Sequence, residues 1–166
     1  MSLIERTYTY NTIEEALSLS KNISGLEYLK GMINGSIPNA PAISSLGIYG
    51  VSCNFGLAVF AFKPDDFHYN AVGTVHGGII STILDTAMGC TLMTTLDENT
   101  IFTTLELKVN FLKAVTKNLD ELVCEGKIIH AGKTTALIEA SLKDKNGVIY
   151  AHGVSTCLKM IKKNDK

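Results

Sequence analysis

Apolar and polar positions along this chain fall into two periods. Between Gly77 and Thr95, the residues Ile79, Ile80, Ile83, Leu84, Ala87, Met88 and Leu92 recur at three- and four-residue intervals and cover more than one face of a helix. A helix of that kind is buried on several sides and has to be wrapped. The downstream half of the chain supplies the wrapping: "TTLELKVNFL", "ELVCEGKIIHA", "TTALIEASLK" and "VIYAHGVSTCLKM" read as four long strands. Leu105, Leu107, Val109 and Phe111 alternate with other residues, and Gly132-Lys133 and Asn146-Gly147 are turn pairs of the hairpin kind.

Upstream, Thr12 with Glu15 three residues on reads as a capping box, opening a helix that carries Ile13, Ala16 and Leu17 on one face. A second short helix is expected from Ser24, through Leu26, Leu29 and Met32, to Gly35, so that 12–35 is an N-terminal helical segment. The two prolines of "SIPNAP" mark an extended connector into the strand-like "SSLGIYGVS" and "GLAVFAFK", and "KPDDFHYN" is turn-prone. Short helices, strands, one long helix and an antiparallel meander predict an α+β fold. In it, one curved antiparallel sheet closes around one apolar helix. No internal repeat is visible, and the one biased segment is the basic tail "KKNDK".

Composition narrows the choice of function. A length of 166 residues suits a single domain, 1–166, with a core of its own. Fifteen Lys plus Arg against sixteen Asp plus Glu give a net charge of -1, too little positive field for a nucleic-acid partner. The amino end, "MSLIERTYTYNTIEE", lacks the features of a signal peptide, and Asp85 with many Ser, Thr and Gly spoils the central helix as a membrane span. The expectation is a cytoplasmic protein with no membrane partner. Cys53, Cys90, Cys124 and Cys157 form no C-x-x-C pair, and His68, His76, His130 and His152 no H-E-x-x-H spacing, so no metal site is expected. The cysteines read as small buried hydrophobes.

Candidate chemistry centres on the long helix. Asp85 lies at its middle, with Ser81 and Gly89 four residues to either side on the same face. It either points to solvent or bonds a neighbour such as Thr82 or Thr86, or it is a catalytic carboxylate partly withdrawn from water. His76-Gly77-Gly78 opens the helix, where backbone N–H groups have no intrahelical partner and the dipole favours negative charge. The missing Cβ of Gly77 lets a ligand atom approach its N–H, as a carbonyl oxygen becoming an oxyanion requires; tight packing is the competing explanation for the glycine pair. Nine residues separate His76 from Asp85, roughly 13 Å along the axis. Both cannot touch one carbonyl from one chain. If both act, Asp85 must reach the Gly77 site of a second copy across a two-fold axis.

Asn70, then His76-Gly77-Gly78, then Asp85 within "HGGIISTILDTAMG" resembles the hotdog-fold acyl-CoA thioesterases of the phenylacetate-degradation, PaaI-like family. "TTLELKVNFLKAV" and "GKIIHAGKTTALIEASL" resemble the strand after the hotdog helix and the next hairpin, and the likeness runs from about Ile23 to Met160. The resemblance implies a hotdog fold and a homodimer, often paired again into a homotetramer. It also implies an acyl-CoA substrate, so that coenzyme A is part of the substrate and no separate cofactor is needed.

By the same resemblance, the Gly77 N–H polarises the thioester carbonyl, while His76 and Asn70 position the start of the helix, the thioester or the water. Asp85 of the partner chain acts as nucleophile or general base. Thr104 is the hydroxyl residue that assists water, with Thr103 beside it left open. An aspartate at 85, where a sister group uses glutamate, fits the PaaI-like branch.

The groove for coenzyme A is implied along Phe111, Leu112, Lys113, Ala114 and Val115 and at the turn of His130, Gly132, Lys133 and Thr134, with Lys113 and Lys133 as the charged candidates. The acyl pocket is expected against the Ser81 and Gly89 face, with room for an aryl or medium aliphatic group. The alternatives are a non-catalytic module that binds acyl-CoA, which would need the groove but not Asp85, and a hydratase, for which no motif is found.

Overall fold

A computed structural model describes residues 3–162 of the chain, so the basic tail lies, from residue 163 on, outside the described residues. The helix expected at 77–95 forms as α4, Gly77–Met93, with Ile83, Leu84, Ala87, Met88 and Leu92 fully buried. Five strands of a six-stranded sheet touch it. These are drawn from β1 (Tyr49–Asn54), β2 (Leu57–Phe62), β3 (Thr100–Phe111), β4 (Leu122–Ala131), β5 (Thr135–Lys143) and β6 (Ile149–Ile161), in the spatial order β1-β2-β4-β5-β6-β3 and antiparallel throughout. This is the α+β hotdog architecture. A helix apolar on several faces favours it, because a sheet curled around the helix removes those faces from water together.

Two features seat the helix. Gly126 of β4 lies directly under it: a Cβ there would run into the Thr91 hydroxyl and the Ala87 carbonyl. At its C-terminal end, Thr91 Oγ1 accepts the Ala58 N–H of β2 at 3.1 Å, and Thr94 Oγ1 accepts the Gly56 N–H of the β1–β2 turn at 2.8 Å. Backbone donors that a helix would otherwise leave buried without partners are satisfied in this way.

The N-terminal segment covers the remaining face. α1 spans Ile13–Leu19, α2 Gly25–Asn34 and α3 Pro41–Ser45. At α2 the capping box joins Ser24 and Glu27, and Gly35 closes the helix in the left-handed region at φ 82°. The capping box expected at Thr12 does not form: Thr12 caps without a side-chain bond, and Glu15 instead accepts from Asn11 at 3.0 Å. Nor is "SIPNAP" extended to its end, because Pro41 occupies the first helical position, where its missing N–H costs nothing. Gly25 abuts the Met93 carbonyl, and its N–H donates to Leu96 O at 3.0 Å, which fixes α2 against the end of α4.

Two further expectations are corrected. The strands after α4 are not one meander: β4-β5-β6 is, but β3 pairs with β6 at the sheet edge, and β4 crosses over to pair with β2. The alternation of β3 is also interrupted. A bulge between Thr104 and Glu106 turns Leu105 outward, 56% exposed, so that Phe102 and Thr104 share a face with Leu107 and Val109.

Gly126→Ala is expected to destabilise the fold by about 1–3 kcal/mol through overpacking. Thermal unfolding should show a drop in Tm of several degrees.

Candidate active site

The loop that leads into α4 is held by its own polar side chains. Asn70 Oδ1 accepts the Val72 and Thr74 N–H groups at 2.9 and 3.3 Å, and its Nδ2 donates to Thr74 Oγ1 at 3.1 Å. His76 caps the helix: its Nδ1 accepts the Gly78 N–H at 2.9 Å. Each therefore fixes backbone at the start of α4. Gly77 is left between them with an N–H that donates no hydrogen bond among the described residues. A cavity of about 360 Å³ opens beside it, lined by Asn70, Gly77 and all five residues from Phe111 to Val115, Lys113 included.

Asp85 faces a different cavity, of about 240 Å³. Thr104 Oγ1 donates to Asp85 Oδ1 at 2.9 Å, whereas the side chain of Thr103 lies on the exposed face of β3. That contact decides between the two threonines as the partner of Asp85, and it replaces the bonds to Thr82 or Thr86 considered from sequence; the Thr82 hydroxyl donates to the Gly78 carbonyl instead. Gly89 lines this cavity, but Ser81 does not; its hydroxyl donates to the Gly77 carbonyl at 2.9 Å. Sequence reasoning missed Tyr28, Met32, Ala40 and Ile43 of the N-terminal segment, which close the cavity over Asp85. The caps that bound α2 were legible, but the partner of its apolar face was not.

Gly77 and Asp85 thus open into separate cavities of one chain, eight helical residues or about 12 Å apart. The second implied groove segment is more distant still. Thr135 pairs with Leu158 while Phe111 pairs with Ala151, so the turn of His130, Gly132, Lys133 and Thr134 sits seven register steps, ~23 Å, from Phe111 along the sheet. Lys133 and Thr134 line a third cavity there, and the Gly132 carbonyl accepts from Lys159 Nζ. One chain does not join the two segments into a continuous groove.

His68 is buried, with Nδ1 accepting the Asp65 N–H at 3.0 Å and Nε2 against the Leu46 carbonyl at 2.8 Å, and burial pulls its pKa below the ordinary imidazole value. All four cysteines are free. Cys90 lines the Asp85 cavity, but burial, with Asp85 and Cys53 adding to it, pushes its thiol up to about 12. It stays a neutral thiol beside the carboxylate, not a rival nucleophile. No group of three metal-ligating side chains occurs among the described residues, and none of their helices is long and apolar enough to cross a membrane.

The sequence profile of the thioesterase superfamily matches residues 72–151, which hold Gly77, Asp85 and Thr104. That segment, 80 of the chain's 166 residues, is similar to the thioesterase superfamily. A Saccharolobus solfataricus protein bearing an esterase name is 33% identical over 84 residues, 51% of this chain and 58% of that one, so less than two thirds of that relative is spanned. Human acyl-coenzyme A thioesterase 13 is 26% identical over 107 residues, 64% of this chain and 75% of that one. Among solved structures, a phenylacetic acid degradation-related protein from Ralstonia eutropha superposes with a TM-score of 0.71 at 22% identity, over 79% of this chain and 98% of that one. That likeness carries the hotdog fold.

At pH 8, Cys90 and Cys124, both raised by burial, should resist alkylation in the native protein and react once it is denatured, as read by mass spectrometry. Because the folded pKa of Cys90 lies above its unfolded value, its contribution to stability is intact below about pH 8.5. It should fade as pH rises towards 12, and urea titrations at stepped pH measure that loss.

Proposed function

We propose that this chain is an acyl-CoA thioesterase whose active site is completed by a second copy of itself. The observation that carries the reading is the pairing of an uncommitted Gly77 N–H with a cavity-facing Asp85, held by Thr104, on one rigid helix that keeps them about 12 Å apart. Two such helices run antiparallel about a two-fold axis would bring each Asp85 to the other copy's Gly77, giving two equivalent sites.

In that assembly the Gly77 N–H, with the positive end of the helix dipole behind it, binds the thioester oxygen as negative charge builds on it. Asp85 acts as general base on a water, or attacks as nucleophile. In the first route the water oxygen bonds to the carbonyl carbon, Asp85 takes its proton, the carbon–sulfur bond breaks, and the proton passes to the departing thiolate of coenzyme A. Asn70 and His76 act as positioning residues for the start of the helix. Lys113 offers a cation for the phosphates beside the Gly77 cavity, and Lys133 can join it only from another copy. Gly89 and the apolar walls around it suit an aryl or medium-chain acyl group. Coenzyme A belongs to the substrate, a further pairing of dimers into a tetramer fits the family resemblance, and the cytoplasm is the compartment this reading assigns.

Thiol release from a panel of aryl and aliphatic acyl-CoA esters tests this. Asp85→Asn should lower kcat/KM by about a hundred- to ten-thousand-fold. Gly77→Pro removes the N–H at a position that tolerates proline and should cost about a hundred- to a thousandfold in kcat, against Gly77→Ala as the control for bulk. Co-expressed in equal amounts, the Asp85→Asn and Gly77→Pro chains should recover about a quarter of the wild-type rate, since half of the dimers are mixed and each mixed dimer holds one intact site. No recovery, or turnover by a wild-type monomer, overturns the shared site. A wild type that binds acyl-CoA without cleaving any ester points to the binding module instead.

A further inference from the structure

The Asp85 cavity has a floor, and a second cavity lies beneath it. Tyr28, Met93 and Phe102 line both the 240 Å³ cavity that holds Asp85 and a neighbouring one of about 260 Å³. Two rails run from one to the other. Along α4 they are Asp85, Gly89 and Met93, at four-residue spacing on one face, rising about 12 Å. Along β3 they are Thr104, Phe102 and Thr100, at two-residue spacing on one face, spanning ~13 Å.

The rails touch midway: a Cβ on Gly89 would meet the Phe102 ring at 2.9 Å. Their upper ends are tied by the bond from Thr104 to Asp85. Beyond the floor the walls are Leu17, Ile23 and Leu96, with Asp97, Thr100 and Lys162 among the polar residues there.

We infer that Tyr28, Met93 and Phe102 form the floor of the acyl site and set the length of acyl chain this protein accepts, the cavity beneath being the place of a longer tail. The inference rests on the thioesterase reading. Continuity with the Asp85 cavity and the apolar walls on both sides identify the occupant as an alkyl chain rather than a polar group. Met93 is the movable part: an unbranched thioether changes rotamer where the Phe102 ring, lying over Gly89, cannot. The N-terminal segment shares in specificity, because α1, the turn after it and α2 supply Leu17, Ile23 and Tyr28, while Met93 and Phe102 stand on the same α4 and β3 that carry the carboxylate and its threonine.

The test is the ratio of kcat/KM for hexadecanoyl-CoA to that for hexanoyl-CoA. Met93→Ala and Phe102→Ala should raise this ratio about tenfold or more, since each methylene accommodated in an apolar pocket is worth at least that. Leu17→Trp, filling the lower cavity from α1, should cancel the gain in the Met93→Ala background. Should Phe102→Ala fail to fold, Phe102→Leu and Met93→Ala carry the measurement. Turnover with an unshifted ratio in folded variants overturns this inference alone. Absence of turnover in the wild type on every ester overturns the thioesterase reading and this inference with it.

Discussion

A helix that is apolar on several sides cannot be left against water, and the rest of this molecule is shaped by that constraint. α4 buries Ile83, Leu84, Ala87, Met88 and Leu92 completely, and no flat sheet could cover residues pointing in so many directions. The six strands therefore curl around it. Glycine is required where β4 passes under the Ala87 carbonyl, and threonine hydroxyls serve where the helix approaches backbone donors of β2 and the β1–β2 turn. The sheet leaves one stripe uncovered, which the N-terminal segment closes with Tyr28, Met32, Ala40 and Ile43.

That stripe is where the one acidic residue of α4 lies. Asp85 escapes burial against the sheet because a cavity separates it from the covering helices, and the Thr104 hydroxyl keeps one carboxylate oxygen in a fixed direction. At the other end of the same rigid rod, the start of the helix leaves the Gly77 N–H without a partner among the described residues while His76 engages that of Gly78. Neither group can move toward the other without breaking the helix. On the proposed reading the reaction waits for a second copy, and assembly and chemistry become one requirement.

The residues around these two groups mostly hold backbone. Asn70 closes its own loop, His76 caps, His68 bridges Asp65 and Leu46, and Ser81 and Thr82 bond back to the first turn of the helix. Polar side chains are spent there on a backbone geometry, and that geometry aims a single N–H. On the proposed reading the acyl side is the reverse, apolar, with α4 and β3 carrying both its floor and the carboxylate while the N-terminal segment closes it over.

The period of Ile79 to Leu92 and the alternation in the later strands determined the helix, the strands and the α+β class, because burial periodicity is written locally. Asp85, Gly77 and His76 stood out for the same local reason, as a carboxylate on an apolar helix and glycines at its start, and Asn70 through the family resemblance. Only the tertiary structure decided that β3 pairs with β6 at the edge and that a bulge at Leu105 turns Thr104, not Thr103, to Asp85. It alone also separated the two groove segments and brought Tyr28 over the carboxylate. Strand order, register shifts and the docking of distant helices depend on partners far along the chain, whose pairing no local pattern of residues encodes.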